Sequence, residues 1–463
     1  HLMPILLVSG FDNESLYDLK ALFGHKSLVS AFLLLLVPLN LLVFPRHRHG
    51  IVRLCVLIAL QIGTILVLQS RAVYVGLFLV MLILSGLAWK HRNRWWSPRI
   101  AWTGVILSSL LLLTMVLALS RYPAMKERLN PLNYAQSQTA TERRFVWIKT
   151  MVMVRENPWL GVGSGNWKIE FPGRGTEGSY RMQDQNVVFT RVHNDFLETW
   201  AELGWPGLIL YAAIFLSAGY LLLRVFRNDP WKSALLAAGV LAFLVSSLID
   251  FPKERVGMLV LLAIYLLAIR SLSSDHGYPL SGAGQRVLYA LCALLACFSI
   301  WTGWQRYGGE IHTKVMLRSQ VAEDWHGVLR HYNNAVRPWY HLDPSTVPLA
   351  FYRGVANYRL GDLQAAQRDF NEARQRHPYN FQVINNQATL LIQQEQYREA
   401  IPYLQEALRI NDRFVDALYN LSFCHYQLGE YDKALEVVLE VPVEGEKKEA
   451  FIREIRTAMN QSN

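Results

Sequence analysis

Charge is scarce in this chain, and cysteine is nearly missing. Asp, Glu, Lys and Arg make up 18% of the 463 residues, against 52% hydrophobic residues. The apolar residues gather in blocks, which excludes an ordinary soluble globular protein and indicates a membrane protein with a soluble part. The four cysteines, Cys55, Cys292, Cys297 and Cys424, form no CxxC pair, and three fall inside apolar runs. That excludes a disulfide framework and a CxxC zinc or redox signature. There is no HExxH, and His193 has no second histidine at ligand spacing. Neither a metal nor another cofactor is therefore expected. The opening "HLMPILLVSG" has no basic n-region and no cleavage site, which fits a signal peptide poorly. The sequence is expected to begin inside a longer membrane protein, with earlier spans missing.

The formal net charge is +10. The basic residues concentrate in short loops between apolar blocks, where such charge sets topology and does not imply nucleic acid. Segments near the ~20 residues that span a bilayer fall at about 27–44, 51–68, 72–89, 99–119, 205–226, 231–250, 256–270 and 286–304. "RHRHG" at 46–50, "KHRNRWWSPR" at 90–99, "RVFRNDPWK" at 224–232 and the 270–286 link lie on one side, expected to be cytoplasmic. The loop 120–204, the 250–255 turn and everything after 304 then face the other way.

The tail has a 34-residue step. "GDLQAAQRDFNEA" begins at Gly361, "EQYREAIPYLQEA" at Glu395 and "GEYDKALEVVLEV" at Gly429, with Ala366, Ala400 and Ala434 in register. Period and small-residue register together resemble tetratricopeptide repeats, helix pairs that stack into a solenoid. The predicted fold is all-α: a polytopic transmembrane helix bundle over 1–304 with a large extracytoplasmic loop, a helical connection at 305–346, repeats at 347–448 and a terminal helix at 449–463.

Residues with chemistry border the membrane blocks. Arg71 sits at the outer end of a span, where a cation is costly unless paired, although a snorkelling anchor also fits. "TERRFVWIKTMVMVRENPWLGVGSGNW" from Thr141 reads as an amphipathic helix ended by Asn157-Pro158, with Arg143 and Trp147 on one face. Gly161, Gly163 and Gly165 lack both the preceding strand and the Gly-Lys-Ser/Thr of a phosphate loop, so a tight turn is the simpler reading. His193-Asn194 stands at the mouth of a span with Asp195, Glu198 and Glu202 following. Helix capping and dipole complementarity account for such residues as well as catalysis does.

The order of these pieces is more specific than any one of them. Ser70-Arg71, then Arg143 and Trp147 with "NPWLGVGSGN" at 157–166, then His193-Asn194 with Gly204 and Gly207, resemble the O-antigen ligase and O-antigen polymerase superfamily of bacterial membrane glycosyltransferases. "FGHKSLVSAFLLLLVPL" at 23–39 is similar to that family's "FGNxNxxAxFL" segment, and the resemblance covers roughly 20–270. It implies a multi-pass protein of the bacterial inner membrane, with the long loop and the repeats in the periplasm. Its implied reaction is metal-independent, inverting transfer of a glycan from undecaprenyl diphosphate to an acceptor hydroxyl on lipid A-core, another glycan or a protein. Carried over by position, Arg71 and Arg143 hold the diphosphate and His193 is the base or orienting group. Arg144, Trp147 and Asn194 join in binding substrate, and the repeats dock a protein partner. Two guanidinium forks match phosphate oxygens, and fixed cations stabilise a developing anion. A transporter, which predicts charges in mid-span, and an assembly scaffold remain alternatives from other classes.

Overall fold

A computed structural model of the chain describes residues 26–43, 48–68, 71–90, 137–183, 188–273 and 281–462. The fold is all-α, and no strand occurs among the described residues. The chain divides into two compact units, one of residues 1–164 and 191–277, the other of residues 165–190 and 278–463.

The first unit contains α1 (Lys26–Val43), α2 (Arg48–Leu68), α3 (Arg71–Lys90), α4 (Gln138–Glu156), α5 (Asp195–Asn228), α6 (Pro230–Ile249) and α7 (Val256–Leu272). α6 is the centre, packed against α1, α3, α5 and α7. Its sequence supplies small residues where neighbours approach: Ala234, Ala238, Gly239, Ala242, Ser246 and Ser247 are buried. Lipid tails are as apolar as leucine, so close backbone approach and hydrogen bonds, not exclusion of water, hold such helices together. A Cβ on Gly239 would come within 1.9 Å of the Tyr265 ring. The Tyr265 hydroxyl crosses to donate to the Leu35 carbonyl at 2.6 Å, tying α7 to α1. Gln61 on α2, the main polar residue in mid-span, accepts from Asn40 Nδ2 of α1 at 3.2 Å. It is thus part of the helix packing.

The expected spans at 205–226 and 231–250 lie in α5 and α6, both long and apolar enough to cross a membrane. Those at 27–44, 51–68, 72–89 and 256–270 lie in α1, α2, α3 and α7, whose apolar stretches are shorter. The span expected at 99–119 lies outside the described residues.

The second unit contains α8 (Gly282–Val321), whose apolar stretch, the span expected at 286–304, is also long enough to cross and holds no buried residue. α9 (Trp325–Ala335) turns back against it. Three hairpins follow: α10 (Leu349–Arg359) with α11 (Leu363–Arg376), α12 (Phe381–Gln393) with α13 (Tyr397–Ile410), and α14 (Val415–Gln427) with α15 (Tyr431–Leu439). α16 (Glu446–Ser462) packs on α15. Ala366, Ala373, Ala400, Ala407 and Ala434 are all fully buried, which is why the register keeps them small.

One loop geometry recurs four times. Glu323, Gly361, Glu395 and Gly429 have φ of +56°, +86°, +60° and +75°. After each, an N–H closes on a carbonyl five residues back: Asp324 on Ser319, Asp362 on Asn357, Gln396 on Leu391 and Glu430 on His425, at 2.8–3.0 Å. This is the Schellman ending, and it makes the α8–α9 turn a relative of the three repeat turns. Arg353 joins that hairpin to the repeats, with its guanidinium 4.2 Å from the Tyr332 ring centroid and Nε donating to Asp369 Oδ1 at 2.7 Å.

His377, between the first and second repeats, is 1% exposed, and its Nδ1 has no hydrogen-bond partner. Burial pushes its imidazole from 6.5 down to about 4, and the nearby Lys168 ammonium acts in the same direction. The unfolded chain therefore binds the extra proton between these values. The stabilisation is fully present above pH 6.5 and declines as pH falls towards 4, by about 3 kcal/mol in all. Thermal unfolding of the full-length protein and its His377→Phe variant, followed from pH 7 to 4.5, is expected to show the steeper loss in the wild type. Parallel curves would remove His377 as the source.

Candidate functional site

The site lies where α5 begins, and local chemistry dictates its shape. Asn194 caps α5, its Oδ1 accepting from Leu197 N–H at 3.0 Å. Glu198, one turn in and buried, reaches back to accept from Val192 N–H at 3.0 Å. The Val192 carbonyl in turn accepts from Trp147 Nε1 of α4 at 2.9 Å. The residue between these fastenings is His193, in the left-handed region at φ +57°. A non-glycine residue there costs about 1–2 kcal/mol, and the bonds on either side hold it.

That backbone directs the imidazole to the 250–255 turn. His193 Nδ1 stands 3.5 Å from Asp250 Oδ1, an ion-pair distance longer than a hydrogen bond. Its ring meets Phe251 edge to face at 5.1 Å between centroids. Nδ1 is buried while the side chain as a whole is 34% exposed. The exposed part of the side chain therefore lies away from Nδ1.

Cations and acids of the same turn fasten it to α5. Lys253 N–H donates to Asp195 Oδ2 at 3.1 Å, and its ammonium reaches Thr199 Oγ1 at 3.2 Å and Glu198 Oε1 at 3.5 Å. Tyr211 donates to Asp195 Oδ2 at 3.3 Å and lies 3.2 Å from Ser247 Oγ. Arg191 and Glu254 pair at 2.9 Å, and Arg255 lies 5.2 Å from the Phe251 ring centroid. From the sequence, Asp250 and Lys253 only border a turn. The signal for more was the crowding of "DFPKER" into the short gap between two apolar runs.

The predicted site residues fall as follows. Trp147 and Asn194 both hold the loop around His193. Arg143 is half-buried on α4, one turn before Trp147 and on the same face. Arg144, its neighbour, is exposed. Arg71 is the first residue of α3, and its side chain lies outside the described residues. The acid beside His193 is the distant Asp250. Asp195 and Glu198, its near neighbours in sequence, are taken up by Lys253, Tyr211 and Val192.

The glycine segment closes the arrangement. α5 is broken at Gly204, with φ +64° and ψ −162°, just before Pro206. A helix would bond Ala201 O to Trp205 N–H and Glu202 O to the N–H that Pro206 lacks. Here Val162 N–H donates to Ala201 O and Gly163 N–H to Glu202 O, both at 2.9 Å, while Trp205 N–H turns to Pro158 O at 3.0 Å. Residues 157–163 thus satisfy the backbone that the break exposes. Two glycines allow it: a Cβ on Gly161 would lie 2.3 Å from the Glu202 carbonyl carbon, and one on Gly204 would lie 2.1 Å from the Trp159 oxygen.

Residues 54–212 match the family model described as O-antigen ligase, and residues 391–451 match a tetratricopeptide repeat model. No curated protein matches. Among solved structures, "Crystal structure of MamA protein" is 17% identical over 33% of this chain and 83% of that one, with a TM-score of 0.29. "MamA 41-end from Desulfovibrio magneticus RS-1" is 17% identical over 33% of this chain and 92% of that one, with a TM-score of 0.28. The O-antigen ligase match runs through Arg71, Arg143, Trp147 and His193 in that order, and the repeat match lies in the helical hairpins of the second unit, so the chain is an O-antigen ligase-like membrane protein with a C-terminal tetratricopeptide repeat domain.

Proposed function

We propose that the chain transfers a glycan from undecaprenyl diphosphate to an acceptor hydroxyl, with inversion and without a metal, at the extracytoplasmic face of the bacterial inner membrane. The observation that carries this reading is His193, held in a left-handed turn at the mouth of α5 with Nδ1 buried towards Asp250 and the side chain as a whole partly exposed. Asp250 orients the ring and favours a proton on Nδ1, which leaves Nε2 to accept the hydroxyl proton. As that oxygen bonds to the anomeric carbon, the bond to the diphosphate oxygen breaks and the electron pair leaves with the lipid diphosphate. One direct displacement inverts the anomeric centre. General-base assistance of this kind is typically worth about 10²–10⁴ in rate.

Arg143 and Arg71 neutralise the diphosphate as charge builds on it. α3 starts at Arg71, and alternation of the expected spans carries that end to the side of the 250–255 turn. Arg144 assists Arg143, while Trp147 and Asn194 keep the loop in place for substrate. Location outside the cytoplasm is supported by the basic loops. It is supported also by residues 165–190 and the repeats forming one unit, which requires them to lie on one side of the membrane.

The test uses membranes with full-length protein and a labelled lipid-linked oligosaccharide. Arg71→Ala and Arg143→Ala are expected to lower kcat/KM for the donor roughly 10- to 100-fold, the range for losing a charged hydrogen bond. Label arriving on lipid A-core, on longer glycan or on protein separates ligase, polymerase and protein-glycosylating versions. Label that stays on the lipid for wild type and His193→Ala alike, with the whole cell envelope present, excludes transfer.

A further inference from the structure

The middle of the long loop belongs to the unit of the repeats. Its residues 165–183 form short helical turns at Trp167–Glu170, Phe171–Arg174 and Tyr180–Gln183, with Trp167, Phe171 and Met182 at most 2% exposed. They rest on two successive turns between repeats. At the first, Gly173 lies so close to Tyr379 that an added Cβ would come 2.6 Å from the ring. At the second, Asn411 Nδ2 donates to the Met182 carbonyl at 3.3 Å, and Gln183 Nε2 donates to Asp412 Oδ1 at 2.8 Å. Asn411 is fully buried. A buried amide bonded to a loop carbonyl marks a built seat, since leaving either group unpaired costs about 1–3 kcal/mol.

We propose that this edge of the repeat domain is a seat for the 165–190 segment, and that the repeats serve glycan transfer by positioning the loop whose ends carry the site. The proposal rests on the transfer reading above. The segment's ends are covalent neighbours of the chemistry: residue 191 lies two positions before His193, and residue 164 continues the glycine stretch stitched to the break in α5. Holding the middle of the loop removes conformations that the two ends would otherwise sample, and misplacement of a reacting group by about 1 Å costs on the order of 10²-fold in rate. Gln183, Asp412, Tyr379 and Asn411 are positioning residues in this sense, and none touches a reacting atom.

Two kinds of variant test it in membranes with full-length protein. Gly173→Leu cannot sit against Tyr379, and Gln183→Glu faces Asp412 with like charge. Gln183→Glu combined with Asp412→Lys restores an attraction. Trypsin cleavage at Arg174 and Arg181 reports release of the segment, and label transfer gives kcat and KM. Release together with a kcat lower by about 10- to 100-fold, donor KM little changed and kcat recovered in the Gln183→Glu/Asp412→Lys pair is the expected result. Release with unchanged kcat overturns the proposal while leaving His193 and the transfer reading intact. Absence of release in Gly173→Leu also overturns it, because the segment is then held elsewhere. Failure of the wild type to transfer label removes the transfer reading and the coupling with it, and cleavage still decides whether the seat exists.

Discussion

On the proposed reading, replacing His193 by alanine is expected to lower turnover for glycan transfer by about 10²–10⁴-fold, with donor KM within a small factor of the wild type. The loop does not need the imidazole to keep its shape. Its fastenings are the Trp147 bond to the Val192 carbonyl, the Glu198 bond from the Val192 N–H and the Asn194 cap. None uses the His193 side chain, and alanine inherits the same strained φ of +57°. A fall in kcat without a fall in thermal stability therefore reports lost proton transfer. Single-turnover measurement with labelled donor separates this from slow release. If kcat stays within a factor of about two, the base lies elsewhere; deleting 347–448 with full loss of function, beside an active His193→Ala, would favour the scaffold reading.

Much of the membrane unit and nearly all of the repeat register were legible in the sequence, because both are periodic. Apolar runs of bilayer length are local, and a step of 34 shows itself without knowledge of contacts. The hairpin of α8 and α9 was harder to see. Its turn has Glu323 where the repeats at Gly361 and Gly429 have glycine, and it stands off the 34-residue step, so only the backbone geometry shows the kinship. At the site, the residues that carry a motif order could be named, and Trp147 proved to touch the His193 loop. Asp250 could not be assigned a task, because its meaning depends on a return of the chain after two spans. The glycines of "GVGSG" were expected to make a tight turn. Their close approach to the break in α5 depends on hydrogen bonds to residues some forty positions downstream, which no local pattern records. The seat of 165–190 on the repeats was hidden for the same reason.

Gly204→Ala is expected to destabilise the first unit by about 3–5 kcal/mol, the range reached when backbone strain and overlap combine, and to abolish transfer. Two separate penalties meet at this position. With φ +64° and ψ −162° the backbone is in a region essentially confined to glycine, and any side chain there costs about 1–3 kcal/mol. The added Cβ would also sit 2.1 Å from the Trp159 oxygen, and the obstacle is backbone, which no rotamer change can move aside. Relief requires residues 157–163 to withdraw, and their withdrawal strips the Val162 and Gly163 donors from the Ala201 and Glu202 carbonyls. Those carbonyls stand beside Pro206, which has no N–H to offer in exchange. The damage then spreads to α4 through the same segment, and so to Arg143 and Trp147. Amide exchange is the direct measurement: Val162, Gly163 and Trp205 are expected to lose protection together in Gly204→Ala, and Gly161→Ala to behave alike because its Cβ strikes the Glu202 backbone on the other side of the same contact. Gly165→Ala is the control, with φ +77° but nothing within 4 Å of its Cβ. It carries the backbone penalty alone, about 1–2 kcal/mol, and keeps the three amides protected. Equal losses in Gly165→Ala and Gly204→Ala would mean that left-handed backbone, and not the close approach of two chains, is what these glycines provide.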